Sequence, residues 1–317
     1  MQGNEALARG LVESGCVVAA SYPGTPASEI LSAVRALQES EGLEMHVEWA
    51  VNEKVAFEIA YAASQAGLRA VTAMKQVGLN VASDPLASAA YLGTVGGFVV
   101  VSADDPGPNS SQTEQDSRLS AMLFKVPVLD PASPAEAKAL AGIAFELSEA
   151  FRVPVMIRPT TRVCHACQDV MPGEVASPGR TADFRKDPAR WAATPVHRYG
   201  LHLELNDKLA RIAEYAPTAP RLLNPRALEA APAPKKAVVA SGAAAAYAAE
   251  CIGFLGIDET LPLFQVVQPF PLHAAFIGDV LAGFDEILVL EETAGVIEMQ
   301  LRDRDKVSGR ESGAVPA

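Results

Sequence analysis

Hydrophobic and polar positions follow two alternating periods along the first half of the chain. A helix-like spacing over residues 3–15 ends at a glycine, and the apolar run CVVAAS is typical of a buried strand that enters the turn YPGTP. Helical spacing returns at residues 27–40, after Glu53, at 81–93 and at 133–151, and the apolar runs LRAVTAM, GGFVVVSA, VPVL and VPVMI separate these segments. Because helices alternate with near-continuously apolar strands, we predict an α/β fold with a parallel sheet covered on both faces.

The pattern changes between residues 170 and 235, where proline and charged residues interrupt the apolar periodicity. We expect a surface connection there with one helix, HLELNDKLARIAEYA. Beyond it, the order strand, helix, strand, helix, strand predicts a second, smaller α/β domain. The sequence thus predicts a first domain over residues 1–190, a linker over 191–235 and a second domain over 236–317.

The composition narrows the class of protein. The formal net charge of the 317 residues is −12, with no basic run, so neither a nucleic acid nor an anionic membrane is expected as the main partner. The first residues lack the pattern of a secretory signal, and no stretch has the uncharged length of a membrane span. Four cysteines in a chain of this size do not form a disulfide framework, and we expect a cytoplasmic protein.

The candidate chemistry lies where predicted strands end, because ligands of open α/β sheets bind outside the carboxyl ends of the strands. After the first strand, Tyr22, Pro23, Gly24 and Thr25 form a tight turn that presents a threonine hydroxyl. A plain strand-to-helix turn accounts for the same residues equally well.

Glu53 opens the helical segment EKVAFEIAYAAS, and two interpretations compete for it. Asn52 is a good helix cap, and a glutamate in the first turn is stabilised by the helix dipole. The neighbours Trp49, Val51 and Phe57 are apolar, however, and desolvation among such groups would favour the neutral carboxyl form that a proton donor needs.

Two further loops carry polar residues. In MKQVGLN, Lys75, Gln76 and Asn80 surround Gly78, which permits a close backbone approach but is also common in simple turns. The loop DDPGPNSSQTEQDSR is long and polar, and such loops are often functional. Arg118 at its end has the planar donor geometry that binds a carboxylate, or it is a solvated surface residue.

Cys164 and Cys167 have the spacing of a metal-binding or redox pair, with His165 between them. One such pair supplies only two ligands, and the remaining cysteines and histidines show no ligand spacing. A zinc ion or an iron–sulfur cluster on this chain is therefore the weaker interpretation. The sequence also lacks a P-loop, a nucleophile elbow and a GxGxxG fingerprint.

Several of these segments, taken together and in order, carry a family resemblance. The chain resembles the α subunit of indolepyruvate ferredoxin oxidoreductases in YPGTPASEI, EWAVNEKVAFEIAYAAS, AMKQVGLNVASDPL, SADDPGPNSSQTEQDSR and, downstream, QPFPL with DEILVLEETAGVIEMQLR. These enzymes belong to the thiamine-diphosphate-dependent 2-oxoacid:ferredoxin oxidoreductases. The resemblance implies a pyrimidine-binding domain of the thiamine-enzyme fold, followed by a smaller transketolase C-terminal-like domain.

The resemblance also implies roles for particular residues. Glu53 falls on the glutamate that hydrogen-bonds the aminopyrimidine ring of thiamine diphosphate and helps to activate the cofactor, which favours the cofactor role for this side chain. Thr25 and Arg118 match positions expected to meet the carbonyl and the carboxylate of a 2-oxoacid. The other residues implied to line the cofactor cleft are Tyr22, Pro23, Gly24, Lys75, Gln76, Gly78 and Asn80.

Two departures from the family pattern limit what this chain is expected to hold. The sequence lacks the GDG-like turn that binds magnesium and the diphosphate, and it lacks the cysteine run of the ferredoxin-like domain. The diphosphate, Mg²⁺ and [4Fe–4S] clusters are therefore expected on partner chains, in a hetero-oligomer that contains a dimer of this chain. The family motif MKHVGLN is MKQVGLN here, which withdraws any role of that histidine.

The resemblance implies a subunit of an enzyme that oxidatively decarboxylates an indolepyruvate-like 2-oxoacid to an acyl-CoA and passes electrons to ferredoxin. Two alternatives keep the fold, namely a subunit of a non-oxidative thiamine-dependent decarboxylase and a non-catalytic scaffold subunit. A redox or metal protein built on Cys164 and Cys167 is the weakest alternative.

Overall fold

The computed structural model describes residues 1–176, 179–192 and 194–316. Its first unit contains a six-stranded sheet in the order β2-β1-β3-β4-β6-β5, in which every paired strand runs parallel to its neighbour. The strands are β1 (Val18–Ser21), β2 (His46–Trp49), β3 (Ala70–Lys75), β4 (Phe98–Ala103), β5 (Val128–Leu129) and β6 (Val155–Ile157). The predicted parallel sheet is confirmed. Its central strands β1, β3 and β4 are almost wholly buried, as their continuous apolar runs require.

Helices cover both faces of this sheet. They are α1 (Gly3–Glu13), α2 (Ser28–Glu41), α3 (Glu53–Gln65), α4 (Gln76–Val81), α5 (Ser83–Leu92), α6 (Ser117–Phe124), α7 (Pro134–Phe151) and α8 (Thr161–His165). The helix α1 packs against α2 and α7, whereas α3 packs against β1, β3 and α5 on the opposite face. Phe57 of α3 and Phe98 of β4 are fully buried, and their rings meet edge to face at 5.0 Å.

The second unit is built on a five-stranded sheet in the order β11-β10-β8-β9-β7, in which only β7 is antiparallel to its neighbour. Its elements, with the helices that precede them, are α9 (Pro188–Trp191), α10 (Pro195–Ile212), β7 (Arg221–Leu222), β8 (Lys236–Ser241), α11 (Gly242–Leu255), β9 (Leu263–Val266), α12 (Ala274–Gly283), β10 (Glu286–Leu290), α13 (Val296–Gln300) and β11 (Val307–Ser308). Val239, Ile287 and Val289 belong to a hydrophobic core separate from that of the first unit.

The stretch predicted as a linker contributes to both units. The helix α10 contacts α5, and Lys125 at the end of α6 donates to Asn206 of α10. The strand β7 pairs with β9 and so joins the second sheet. None of the helices in the described ranges combines the length and hydropathy that crossing a lipid bilayer requires.

Two local elements differ from the sequence-based expectation. The strand β2 was not predicted, because it is a short edge strand whose four residues are partly or fully exposed and therefore carry little apolar signal. The segment KQVGLN was predicted as a turn, but residues from Gln76 onward form α4. Gln76 and Leu79 are buried there, and this tertiary burial outweighs the turn preference of glycine and asparagine.

Candidate functional site

The carboxyl ends of β1, β2 and β3 bring three of the predicted loops to one edge of the first sheet. The strand β1 pairs with β2 on one side and with β3 on the other. The connection after β1 therefore runs to one side of the sheet, and the connection after β3 runs to the other side. Ligands of open parallel sheets bind in the crevice that such a reversal creates. The turn after β1, the start of α3 and the start of α4 border this crevice.

Asn52 and Glu53 follow β2 at this edge. The Asn52 side chain accepts a hydrogen bond from the Val55 N–H at 2.9 Å, which caps α3 and makes Glu53 its first residue. The Glu53 carboxylate lies against the backbone of Gly78, so closely that a methyl group added at Gly78 would lie 2.5 Å from Glu53 Oε1. The cap is therefore confirmed for Asn52, and the Glu53 side chain that follows it lies against the first turn of α4.

The turn after β1 lies against Lys75, the last residue of β3. A methyl group added at Gly24 would lie 2.8 Å from Lys75 Cδ, and the Gly24 N–H donates to Ser28 Oγ at 2.8 Å, which fixes the turn. Thr25 is exposed at this edge. The turn, Lys75 and Glu53 thus border one crevice, and their roles toward a cofactor or a substrate stay predictions.

Gln76, at the start of α4, has a buried amide oxygen without a partner among the described residues. Only 1% of its surface is exposed, and its Nε2 makes a long contact of 3.5 Å to Thr113 O. Its Oε1 accepts no hydrogen bond from any residue that the structure describes, which is costly unless another group donates to it. An aminopyrimidine carries an amino donor and ring nitrogens, so the Gln76 amide oxygen and the Glu53 carboxyl fit the pyrimidine end of thiamine diphosphate.

The site is an open surface on this chain. Val51 is 79% exposed, Trp49 is 36% exposed, and Glu53 is only partly buried. The apolar shielding that the sequence predicts around Glu53 is therefore wrong for this chain by itself, because β2 is an edge strand. Tyr22 and Asn80 are exposed as well.

The loop after β4 covers part of the crevice, and the sequence did not single out the residues that make its contacts. The hydrogen bonds run from Lys75 Nζ to Ser110 O (3.4 Å), from Gln76 Nε2 to Thr113 O (3.5 Å) and from Asn80 Nδ2 to Gln115 Oε1 (3.0 Å). Ser110 Oγ also donates to Thr25 O at 3.4 Å. The only sequence signal for this loop was its length and polarity, which do not identify individual contacts.

Arg118 does not reach the crevice. It is fully buried, and its guanidinium donates to Asp116 at 2.6 and 3.0 Å, to Glu291 Oε2 at 2.9 Å and to Ala294 O at 2.9 Å. We therefore correct the sequence-based expectation that Arg118 meets a substrate carboxylate. Its donors are already bound to carboxylates of this chain, and the side chain joins the first unit to the second.

Arg118 belongs to a buried cluster of charged side chains between the two units. The members are Asp104, Asp116, Arg118, Asp130, Arg158 and Glu291. Burial alone would raise the pKa of the Asp116 carboxyl, but the guanidinium groups of Arg118 and Arg158 hold that pKa well below its ordinary value. Asp116 is thus ionised at neutral pH, and so are the two arginines.

The cysteine pair does not form a metal site in the described part of the chain. Cys164 is buried and burial raises the pKa of its thiol, whereas Cys167 is exposed. No group of three histidine, cysteine or acidic side chains in the described residues converges in a way that would hold a metal ion.

A comparison with protein-family profiles matches residues 9–203 to pyruvate flavodoxin/ferredoxin oxidoreductase, thiamine diphosphate-binding. The chain belongs to this family. The matched region contains the first sheet and every residue of the crevice, so the family assignment and the geometry concern the same part of the molecule.

Curated relatives agree with this assignment. The chain is 41% identical over 305 residues to an indolepyruvate oxidoreductase subunit IorA of Thermococcus kodakarensis, covering 95% of this chain and 46% of the relative. It is 37% identical to the IorA subunit of Archaeoglobus fulgidus, covering 99% and 50%. A 2-oxoglutarate synthase subunit KorA of Methanocaldococcus jannaschii is 30% identical over 54% of this chain and 48% of its own length. The chain spans about half the length of the IorA relatives, and the resemblance carried by its motifs is confirmed.

Solved structures show the same fold. A 2-oxoglutarate:ferredoxin oxidoreductase from Magnetococcus marinus superposes with a TM-score of 0.75 at 16% identity, covering 98% of this chain and 61% of that chain. A split-gene transketolase superposes with a TM-score of 0.63 at 15% identity, covering 98% and 88%. The predicted fold class, a thiamine-enzyme pyrimidine domain with a transketolase C-terminal-like domain, is therefore confirmed.

Proposed function

We propose that this chain supplies the pyrimidine-binding part of an indolepyruvate-type 2-oxoacid:ferredoxin oxidoreductase. The observation that carries the proposal is the Glu53 carboxylate, held against Gly78 at the reversal of strand order, in the helix α4 whose first residue, Gln76, has a buried amide oxygen without a partner among the described residues. The names of the IorA relatives support the choice of indolepyruvate as substrate. They also favour the oxidative reaction over the non-oxidative decarboxylase.

Bound thiamine diphosphate would supply the electron sink for decarboxylation of the 2-oxoacid. In this proposal Glu53 would hydrogen-bond a ring nitrogen of the aminopyrimidine and hold or release a proton there, and Gln76 Oε1 would accept from the amino group. Lys75 and Gly78 line the cleft together with the turn from Tyr22 to Gly24. The Thr25 hydroxyl is exposed at the rim and would meet the carbonyl of the 2-oxoacid.

The open site implies a partner. Tyr22, Trp49, Val51 and Val81 are large apolar side chains at the strand end, loops and helix end around the crevice, and each is at least 36% exposed. Exposed apolar groups that surround a functional site mark a docking surface. We propose that a partner domain or subunit with the diphosphate and Mg²⁺ site covers them and shields Glu53 from water. We further propose that the partner chains carry iron–sulfur clusters and that the assembled enzyme has a coenzyme A site. The assembly would contain a dimer of this chain and would be cytoplasmic.

The test replaces Glu53 by glutamine in the reconstituted complex, with Glu58→Gln as the matched control. Glu58 lies on the same helix and is exposed, so its replacement changes charge without touching the crevice. We expect E53Q to lower turnover of indolepyruvate with coenzyme A and ferredoxin by roughly 100-fold or more, the scale of a lost proton-transfer group. Thiamine diphosphate affinity, measured by calorimetry, should fall as well.

The same assay separates the alternatives. Turnover of E53Q within about threefold of E58Q would contradict the cofactor role of Glu53 and favour a scaffold subunit, since general acid–base groups contribute far more than that. An aldehyde as product, with no acyl-CoA and no reduced ferredoxin, would favour the non-oxidative decarboxylase. An acyl-CoA with reduced ferredoxin is the expected result.

A further inference from the structure

The loop that covers the crevice is fixed at its first end by Asp105. We call residues 106–115 the strap. The Asp105 carboxylate accepts hydrogen bonds from Ser110 N at 2.8 Å, from Thr161 Oγ1 at 2.9 Å and from Asn109 Nδ2 at 3.2 Å. Partial burial acts in the opposite direction, but these hydrogen bonds lower the pKa of Asp105 to about 2. The carboxylate therefore stays ionised and keeps its donors at neutral pH.

The second end of the strap is fixed by Asp116, and here the second unit takes part. Asp116 Oδ1 accepts from the backbone N–H and from Nε of Arg118. Asp116 Oδ2 accepts from Arg118 Nη2 at 2.6 Å and from the backbone N–H groups of Thr293 and Ala294, both at 3.0 Å. Arg118 in turn donates to Glu291 and to the Ala294 carbonyl. A segment 177 or more residues away in sequence thus holds the end of the strap.

Toward the crevice itself the strap is held weakly. Three of its four hydrogen bonds to the crevice measure 3.4 or 3.5 Å, and only the Asn80 contact to Gln115 is shorter, at 3.0 Å. Hydrogen bonds of this length contribute little. The buried, charge-assisted bonds at the two ends are the stronger ones, so they determine where the strap lies over Lys75, Gln76 and Thr25.

We infer that Asp116 is a positioning residue through which the second unit holds the strap over the cofactor crevice. The backbone of Thr293 and Ala294 fixes Asp116, Asp116 fixes the adjoining Gln115, and the strap then lies over the start of α4. The part of the inference that concerns cofactor binding rests on the proposed function. The attachment of the strap to the second unit does not depend on that function.

The first test is hydrogen–deuterium exchange of the full chain, with Asp116→Asn compared with Ser241→Ala. Both Asp116 oxygens face N–H donors, so the amide NH₂ of the variant must oppose a donor wherever it points. Ser241→Ala removes a different buried bond between the units, from Ser241 Oγ to Asp130 Oδ2 at 2.7 Å, and does not touch the strap. We expect the strap amides of Gly107 and Ser110, whose N–H groups donate to Glu114 and Asp105, to exchange about tenfold faster in D116N, the equilibrium effect of one buried hydrogen bond, and to be unchanged in S241A.

The second test is titration of the assembled complex with thiamine diphosphate and Mg²⁺. We expect D116N to raise the dissociation constant about tenfold and S241A to leave it within twofold. A folded D116N whose strap exchanges like wild type overturns the inference, and so does a faster strap with unchanged affinity. If wild type fails to bind thiamine diphosphate, the proposed function fails, while the exchange result still decides the attachment of the strap.

A second variant covers the case in which D116N does not fold. Glu291→Gln retains an acceptor for Arg118 but removes the carboxyl group, whose pKa burial raises to about 7, and with it the negative charge that its ionised form places beside Arg118. We expect a smaller increase of exchange in the strap, together with an increase at the Ile297 and Glu298 amides, whose N–H groups also donate to Glu291, and the circular dichroism spectrum of wild type. Exchange that rises evenly through both units would show a purely structural role and would overturn the inference.

Discussion

Replacing Gly78 by alanine should separate stability from function. The added methyl group would lie 2.5 Å from Glu53 Oε1, 2.8 Å from Cγ and 2.9 Å from Cδ. Carbon and oxygen atoms need roughly 3.5 Å, so the Glu53 carboxyl must move by about 1 Å. Glu53 is only partly buried and starts its helix, so it has room to move without disturbing the core.

The effect on folding should be neutral or favourable. Gly78 lies inside α4, and alanine is better than glycine in a helix by up to about 1 kcal/mol. For a protein of this size that gain corresponds to an increase of the melting temperature of roughly 3 °C at most. Gly278→Ala is the matched control, because Gly278 lies inside α12 and a methyl group there meets nothing within 4 Å.

The effect on activity should be large. Displacing a catalytic group by about 1 Å lowers a rate by roughly 100-fold, so G78A should lose turnover and G278A should not. The assay is turnover of indolepyruvate by the reconstituted complex, with the melting temperature of each variant measured beside it. Full activity of a folded G78A would refute the proposed use of Glu53, because the carboxyl could not have kept its position.

The remaining predictions address the buried charges and the cysteines. Arg118→Met should lower the free energy of unfolding by about 3–5 kcal/mol, because it leaves buried carboxylates uncompensated; unchanged stability in a urea titration, with a raised KM, would restore its role as a substrate ligand. Glu149 accepts two hydrogen bonds from the Arg69 guanidinium, at 2.8 and 2.9 Å. Burial raises the pKa of the Glu149 carboxyl, but the arginine bonds outweigh burial and lower that pKa from 4.5 to about 2. Ionised Glu149 therefore stabilises the fold above the unfolded-state pKa, and this stabilisation is lost as the pH falls toward 2. Glu149→Gln should therefore cost roughly 2 kcal/mol at neutral pH, and its deficit relative to wild type should shrink between about pH 5 and 2 in thermal melts; a deficit independent of pH would contradict this. Iodoacetamide at about pH 8 should modify Cys167, which is exposed, and spare Cys164, which is buried with a raised thiol pKa; equal labelling of both by peptide mass spectrometry would contradict their placement.

The sequence by itself determined the features that depend on neighbours along the chain. The helix and strand periods gave the parallel sheet and the helices that cover it, and Asn52 was identified as a cap because capping involves only the next three residues. The placement of candidate residues at strand ends also followed from local pattern, since parallel strands bring their carboxyl ends to one edge.

Only the tertiary structure decided the roles that depend on burial and on distant partners. Arg118 and Glu291 lie 173 residues apart, and no local pattern shows that an arginine at the end of a polar loop is buried by a second unit. The contact of Glu53 with Gly78 likewise requires the edge strand β2, whose exposed residues carry little periodic signal. Burial is set by whichever surfaces pack together, and for this reason the crevice, its strap and the charged contact between the units became visible only in three dimensions.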